Sequence, residues 1–183
     1  QSGTTWGYGP GKSYDSCGAS YGGLGGTGNF GGTVGSTYGS DKIPLEPGSG
    51  GGSHSASVSG SGGGLVRLLV SQKARIDGTL TANGQNPNGA GGAGSGGAIY
   101  IVCHEFAGDA GGFLSAKGGD NRADASAYGG AGGGGRIAVL RAKHTFLGSN
   151  TVAGGVGFNA ARNGTAGSVT WVDAPRGTVV VIH

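Results

Sequence analysis

The chain has 183 residues, 48 of them glycine, about a quarter where ordinary proteins carry roughly 7%. That length suits one domain with a real core, while only five prolines and no Gly-X-Y period exclude collagen. Charged residues make up 11% and the net charge is +3, from scattered Lys and Arg. No clustered basic face for nucleic acid is therefore expected, and no apolar run reaches the roughly 20 residues of a membrane span.

Low charge together with many Gly, Ser, Thr and Asn predicts an extracellular or cell-surface protein. The chain contains no methionine, so Gln1 is read as a processed terminus or the edge of an excised fragment.

Residues 1–63 form a glycine- and aromatic-rich leader holding Trp6, Tyr8, Tyr14, Tyr21, Phe30 and Tyr38, six of the thirteen aromatics. It shows neither a helical nor a strand period. Ile43-Pro-Leu-Glu-Pro47 is an extended break, because a residue before proline avoids the helical region. The leader is expected to be a cap packed on the first coil of the repeat region, its aromatics shielding an open end.

From residue 64 to 183 a repeat is visible. A glycine run opens into an apolar segment at Gly62–Val70, Gly96–Cys103 and Gly132–Leu140, with a weaker copy at Gly167–Val172. The last glycines of these runs, Gly64, Gly97, Gly135 and Gly167, are separated by 33, 38 and 32 residues. Three apolar columns align: Val66/Ile99/Ile137/Val169, Leu68/Ile101/Val139/Trp171 and Leu69/Val102/Leu140/Val172. The first two are predicted to face inward, with Arg67, Tyr100, Ala138 and Thr170 outward. A second strand comes next in each unit, aligned on Ala82, Ala116 and Ala153. The returns 85–97, 119–135 and 156–167 are rich in residues that tolerate turns.

Strands about 30–40 residues apart, without crossover helices and with aligned columns, predict an all-β parallel β-solenoid with long glycine-rich loops and essentially no α-helix. A β-sandwich would not explain the spacing. A bundle of extended polyglycine-type helices is expected only locally, within the first 63 residues.

The stretches SYGGLGG at Ser20–Gly26, YGS at Tyr38–Ser40, the Pro44–Gly52 segment, GTLTANG at Gly78–Gly84, GGAIYI at Gly96–Ile101 and GGGGRIAV at Gly132–Val139 carry a resemblance. They resemble the glycine-rich, right-handed β-helix repeats, of pectin-lyase type, found in large secreted and cell-surface proteins. That resemblance implies the same architecture and assigns no chemistry.

Candidate sites are few, and no catalytic residue is expected. Gly11-Lys12-Ser13 imitates the end of a phosphate loop, but Trp6 stands where its first glycine is required. Cys17 and Cys103 are candidates for one disulfide. His104, Glu105, Lys143 and His144 fall at similar points of adjacent coils, either as an acid–base cluster or as a solvated turn of paired charges. No cofactor is specified; calcium is the ion that Asp77 with Asp109, or Asp120 with Asp124, would take. Thr79, Thr81, Ser115 and Thr151 raise an ice- or sugar-binding face, although their positions vary. Asn163-Gly-Thr165 is the one glycosylation sequon.

The leading expectation is a non-enzymatic structural protein, a building block of a fibre, sheath or surface layer. It would associate with itself through Trp6 and Tyr8 of the leader and through Thr178, Val179, Val180, Val181 and Ile182 of an apolar final strand. The alternatives are a carbohydrate-binding or adhesive module using outward aromatics such as Tyr100 and Tyr128, and a polysaccharide lyase or hydrolase.

Overall fold

The computed structural model describes residues 3–55, 57–121 and 129–174. The expected strand Thr178–Ile182, together with Asp124 and Tyr128, lies outside them. The rest is an all-β parallel β-solenoid of about three coils. The strands β1 (Leu65–Leu69), β4 (Ala98–Gly108), β6 (Arg136–Phe146) and β8 (Ser168–Asp173) pair in parallel in that order. The short β2 (Lys73–Arg75) lies beside the far half of β4. A second parallel sheet is built from β3 (Thr79–Thr81), β5 (Phe113–Ser115) and β7 (Ser149–Thr151). Among the described residues the only helix is one 3-10 turn, Ala160–Arg162.

The register of the long strands is the one the glycine spacing predicts. Val66 pairs with Ile99, Ile99 with Ile137 and Ile137 with Val169, and the Leu68 and Leu69 columns keep the same step. Ile99, Ile101, Ile137 and Val139 are fully buried in one core with Phe106 and Leu114, and Val66, Leu68, Val169 and Trp171 pack on it at the two ends.

Two expectations are corrected. On the two inner strands the residues opposite the core do not meet solvent: Tyr100, Val102 and Ala138 are buried, with Leu140 packed against them, in a second apolar layer on the other face of the sheet, whereas Arg67 is exposed as expected and Thr170 is half-buried. The third copy of the second strand is displaced by one residue. Leu114 pairs with Asn150 and Ser115 with Thr151, so Val152 takes the place below Ala116. Period-2 alternation then sends Val152 toward the core and leaves Ala153 exposed.

The glycine-rich ends of the returns are not loops. In Gly92–Gly97 the amides of Gly92 and Ser95 donate to Gly52 and Ser49, those of Ala93 and Gly96 to Gly130 and Gly133, and those of Gly94 and Gly97 to Gln85 and Ala82. Every third residue thus addresses the same neighbour. In Gly130–Gly135 the same rule sends Gly130 and Gly133 to Ser16 and Ala19, Ala131 and Gly134 to Arg162 and Thr165, and Gly132 and Gly135 to Gly119 and Ala116.

Three residues per turn with no bond inside the segment is the signature of the extended polyproline-type helix. Here such helices are cross-linked into a bundle, with donor–acceptor distances of 2.7–3.0 Å. The bundle therefore extends beyond the first 63 residues, through the described glycine-rich ends of the returns. Leader segments are interleaved in it, because Ala19 lies between Ala93 and Gly133. A side chain pointing at a neighbouring chain would collide with its backbone, and glycine removes that side chain.

The solenoid and the bundle meet at the glycine-to-strand corners. There Arg136 fixes the leader, its Nε and Nη2 donating to the Tyr38 carbonyl at 3.1 and 2.8 Å and its guanidinium lying 5.4 Å from the Tyr21 ring centre.

Candidate functional site

The side chains singled out for chemistry are mostly engaged with one another. Pairing of β2, β4 and β6 sets Lys73, Glu105 and Lys143 in one row. The Glu105 carboxylate meets the two ammonium groups at 3.2 and 3.3 Å and accepts from Thr145 Oγ1 at 2.9 Å. The threonine hydrogen bond, then the lysines, hold it below the ordinary carboxylate range. His144 belongs to the other face, paired with Phe106 and edge-on to Trp171 at 5.1 Å. Desolvation, and after it the charge of Arg141, lowers its pKa. Glu105 with Lys73 and Lys143 thus forms a row of paired charges, and His144 stands on the opposite face of the strand, apart from that carboxylate.

Of the calcium candidates, Asp77, Asp109 and Asp120 are engaged with neighbouring groups, and Asp124 lies outside the described residues. Asp77 Oδ2 takes Arg75 Nε at 2.6 Å, its Oδ1 accepts the Asp109 amide, and Arg75 Nη2 reaches Asp109 at 3.8 Å. Asp120 holds Lys117 Nζ at 2.9 Å and accepts the Val156 amide at 2.7 Å. Among the described residues no three His, Cys, Asp or Glu converge as metal ligands. Of the hydroxyl residues, Thr81, Ser115 and Thr151 stand in one register row, but Thr79 pairs with Phe113 and Ser115 is buried, donating to Asn83 Oδ1 at 2.7 Å.

The expected disulfide is absent, since Cys17 and Cys103 are separate free thiols, both buried. Cys17 sits in the bundle, its sulfur accepting the Gly28 amide at 3.2 Å, while Cys103 is part of the solenoid core. Burial raises the pKa of each thiol. The Asn163 carboxamide oxygen accepts the Gly157 amide, and Thr165 Oγ1 accepts the Leu24 amide. The sequon is thus built into the bundle edge. Sequence reading missed one further pair, His54 Nδ1 to Asp15 Oδ1 at 2.6 Å with Phe30 stacked on the imidazole at 3.7 Å. Its partners lie 39 residues apart in a stretch without period, so no spacing signal existed.

One concave feature is a groove of about 540 Å³. One wall is Thr5–Gly9, the floor is Pro47, Gly48, Gly50 and Gly51, and the opposite wall is Ser59–Gly62. Trp6 and Tyr8, 49% and 88% exposed, stand on its rim. The structure places these two self-association candidates together, on the leader, with Lys12 Nζ 5.8 Å from the Trp6 ring. Tyr100 is buried and offers no stacking surface.

No family model matches the chain, and neither does any curated protein or solved structure at a meaningful level. No helix among the described residues is long and apolar enough to cross a membrane.

Proposed function

We propose that the protein is a structural module of an extracellular fibre, sheath or surface layer, and that copies join edge to edge through the first coil. The observation that carries this reading is β1, which among the described residues is paired on one side only. Its Leu65 and Leu69 remain 38% and 37% exposed. Parallel pairing turns alternate residues to alternate sides. The Val70 amide donates to Val102 O on β4, so the amides of Leu65, Arg67 and Leu69 point to the open edge. Such an edge is a template for another strand. The satisfied ion pairs and the bonded bundle support a mechanical role over a reactive one.

Arg67→Pro tests the reading. It removes one outward N–H, and proline is tolerated on edge strands, so the pairing with β4 survives. The parent chain is expected to form oligomers or filaments in sedimentation and negative-stain microscopy, and the Arg67→Pro chain to remain monomeric. A monomeric parent, or assembly indifferent to the substitution, would overturn the proposal.

A further inference from the structure

Each coil of the solenoid addresses the coil before it in the same way. Ala98, Arg136 and Ser168 share one register row, and their amides donate to the carbonyls of Gly64, Gly97 and Gly135. Leu65 begins that row, with no strand before it among the described residues. The glycines that precede these strands show the same vacancy. A Cβ on Gly97, Gly135 or Gly167 would stand 1.8–2.1 Å from the carbonyl oxygen of Gly64, Gly97 or Gly135, whereas at Gly64 nothing lies within 4 Å. The first coil thus keeps a glycine suited to a neighbour that its own described chain does not supply.

The last coil is open in the complementary sense. β8 ends the other side of the sheet. The amides of Ser168 and Ala174 donate to Gly135 and Arg141, so alternation turns the amides and carbonyls of Val169 and Trp171 away from β6. In the bundle, Gly63, Gly96 and Gly134 donate to Ser95, Gly133 and Thr165 of the next coil, each at 2.9 Å. By that step Ala166 would donate to a residue at the position of Gly62. Neither the Ala166 amide nor the Gly62 carbonyl has a partner among the described residues.

We propose that copies of this chain stack head to tail, β8 of one against β1 of the next, in the register of the internal coils. The inference rests on the edge pairing proposed above and names its partner. Val66, Leu68 and Leu69 of the second copy extend the columns that end in Val169, Trp171 and Val172. By the internal ladder, Arg67 donates to the Val169 carbonyl and accepts from the Trp171 amide, so both edges satisfy donors and acceptors alike. Two β1 strands related by a two-fold axis would set Arg67 opposite its own copy in the register that uses every outward group, and like charges so placed repel. In the stack Arg67 lies beside Thr170 instead. Ala166 stands in the row of Gly63, Gly96 and Gly134, where a Cβ would strike the Ala82, Ala116 or Val152 carbonyl and the amide of the next closing glycine. Beyond β8 no such carbonyl is described, so that methyl has only the Gly64 amide to clear. A heterologous contact of this kind does not close on itself and grows into a filament.

Two edge variants of the whole chain, and their mixture, test the stack. Gly64→Ala adds a methyl where the Gly167 carbonyl of the adjoining copy lies, and Val169→Pro removes one outward N–H of β8. In sedimentation each alone should lose assembly. An equimolar mixture should give 1:1 pairs that grow no further, because each supplies the edge the other lacks. A second pair avoids proline: Leu69→Cys and Val172→Cys share one column, and the roughly 4.8 Å between neighbouring strands suits a disulfide. Under an added oxidant their mixture should give a covalent dimer that neither gives alone. The fold of every variant is checked by its amide spectrum. Val169→Pro assembling like the parent while Arg67→Pro stays monomeric, or absence of the mixed covalent dimer, would overturn the stack and leave the β1 edge standing. A monomeric parent would overturn both.

Discussion

At Gly134 a Cβ would stand 1.9 Å from the Val152 carbonyl oxygen, and at Gly132 the same distance from that of Gly94. Neither obstacle is a side chain that could turn away, so the chains themselves would have to part. Gly134→Ala is expected to cost more than about 3 kcal/mol, the range reserved for severe overpacking. Gly64→Ala, where nothing lies within 4 Å, should stay within about 0.5 kcal/mol of the parent. Chemical denaturation of both variants checks the contrast, and equal effects would refute the packing argument.

Titration of Tyr21 supplies a second residue-scale prediction. Burial, then the charge of Glu46, raises the pKa of its fully buried phenol above the ordinary 10.0. The folded state keeps a proton that the unfolded state loses above about pH 10. Stability is therefore fully present below that pH and falls as pH rises beyond it. Tyr21→Phe should flatten the alkaline slope, with Tyr38, also raised by burial, supplying the remainder.

At the scale of elements, the bundle predicts its own hydrogen-exchange pattern. The amides of Gly92–Gly97 and Gly130–Gly135 are bonded and buried, so they should exchange as slowly as those of β4 and β6. Loop-like exchange there would remove the bundle from the fold. How far these elements are legible in the sequence depends on what each residue carries. Val66, Ile99, Ile137 and Val169 announce their stacking because a solenoid repeats the same environment at the same position. Val152 escapes notice because the coil that holds it offers Asn150, where its neighbours have Leu114 and Leu80, so no apolar column marks the register. The returns give no sign of order because glycine has no side chain to display a period. Their three-residue rhythm is written only in backbone bonds. The groove is hidden for the same reason: Trp6 and Tyr8 stand out, but Gly48–Gly51 and Ser59–Gly62 look like any other turn.

For the molecule as a whole, two kinds of order share one chain. Each coil passes from side-chain packing in the solenoid to backbone packing in the bundle and back, through corners such as Gly135–Arg136. The two parts are therefore expected to melt together. Their partners lie far apart in sequence, Ser16 with Gly130 and Ala19 with Ala93, which predicts slow folding. The bundle also has a calorimetric consequence. Unfolding a protein raises its heat capacity because apolar surface becomes wet, whereas newly wetted peptide groups lower it. A chain of this length would ordinarily show an increment of about 2.2–2.7 kcal/mol/K. Here much of what is released is peptide backbone, so scanning calorimetry should find a clearly smaller increment. The curve of stability against temperature then becomes broad and shallow. A lattice made of main chain, with few greasy side chains to hydrate, holds its strength across cold and warmth alike.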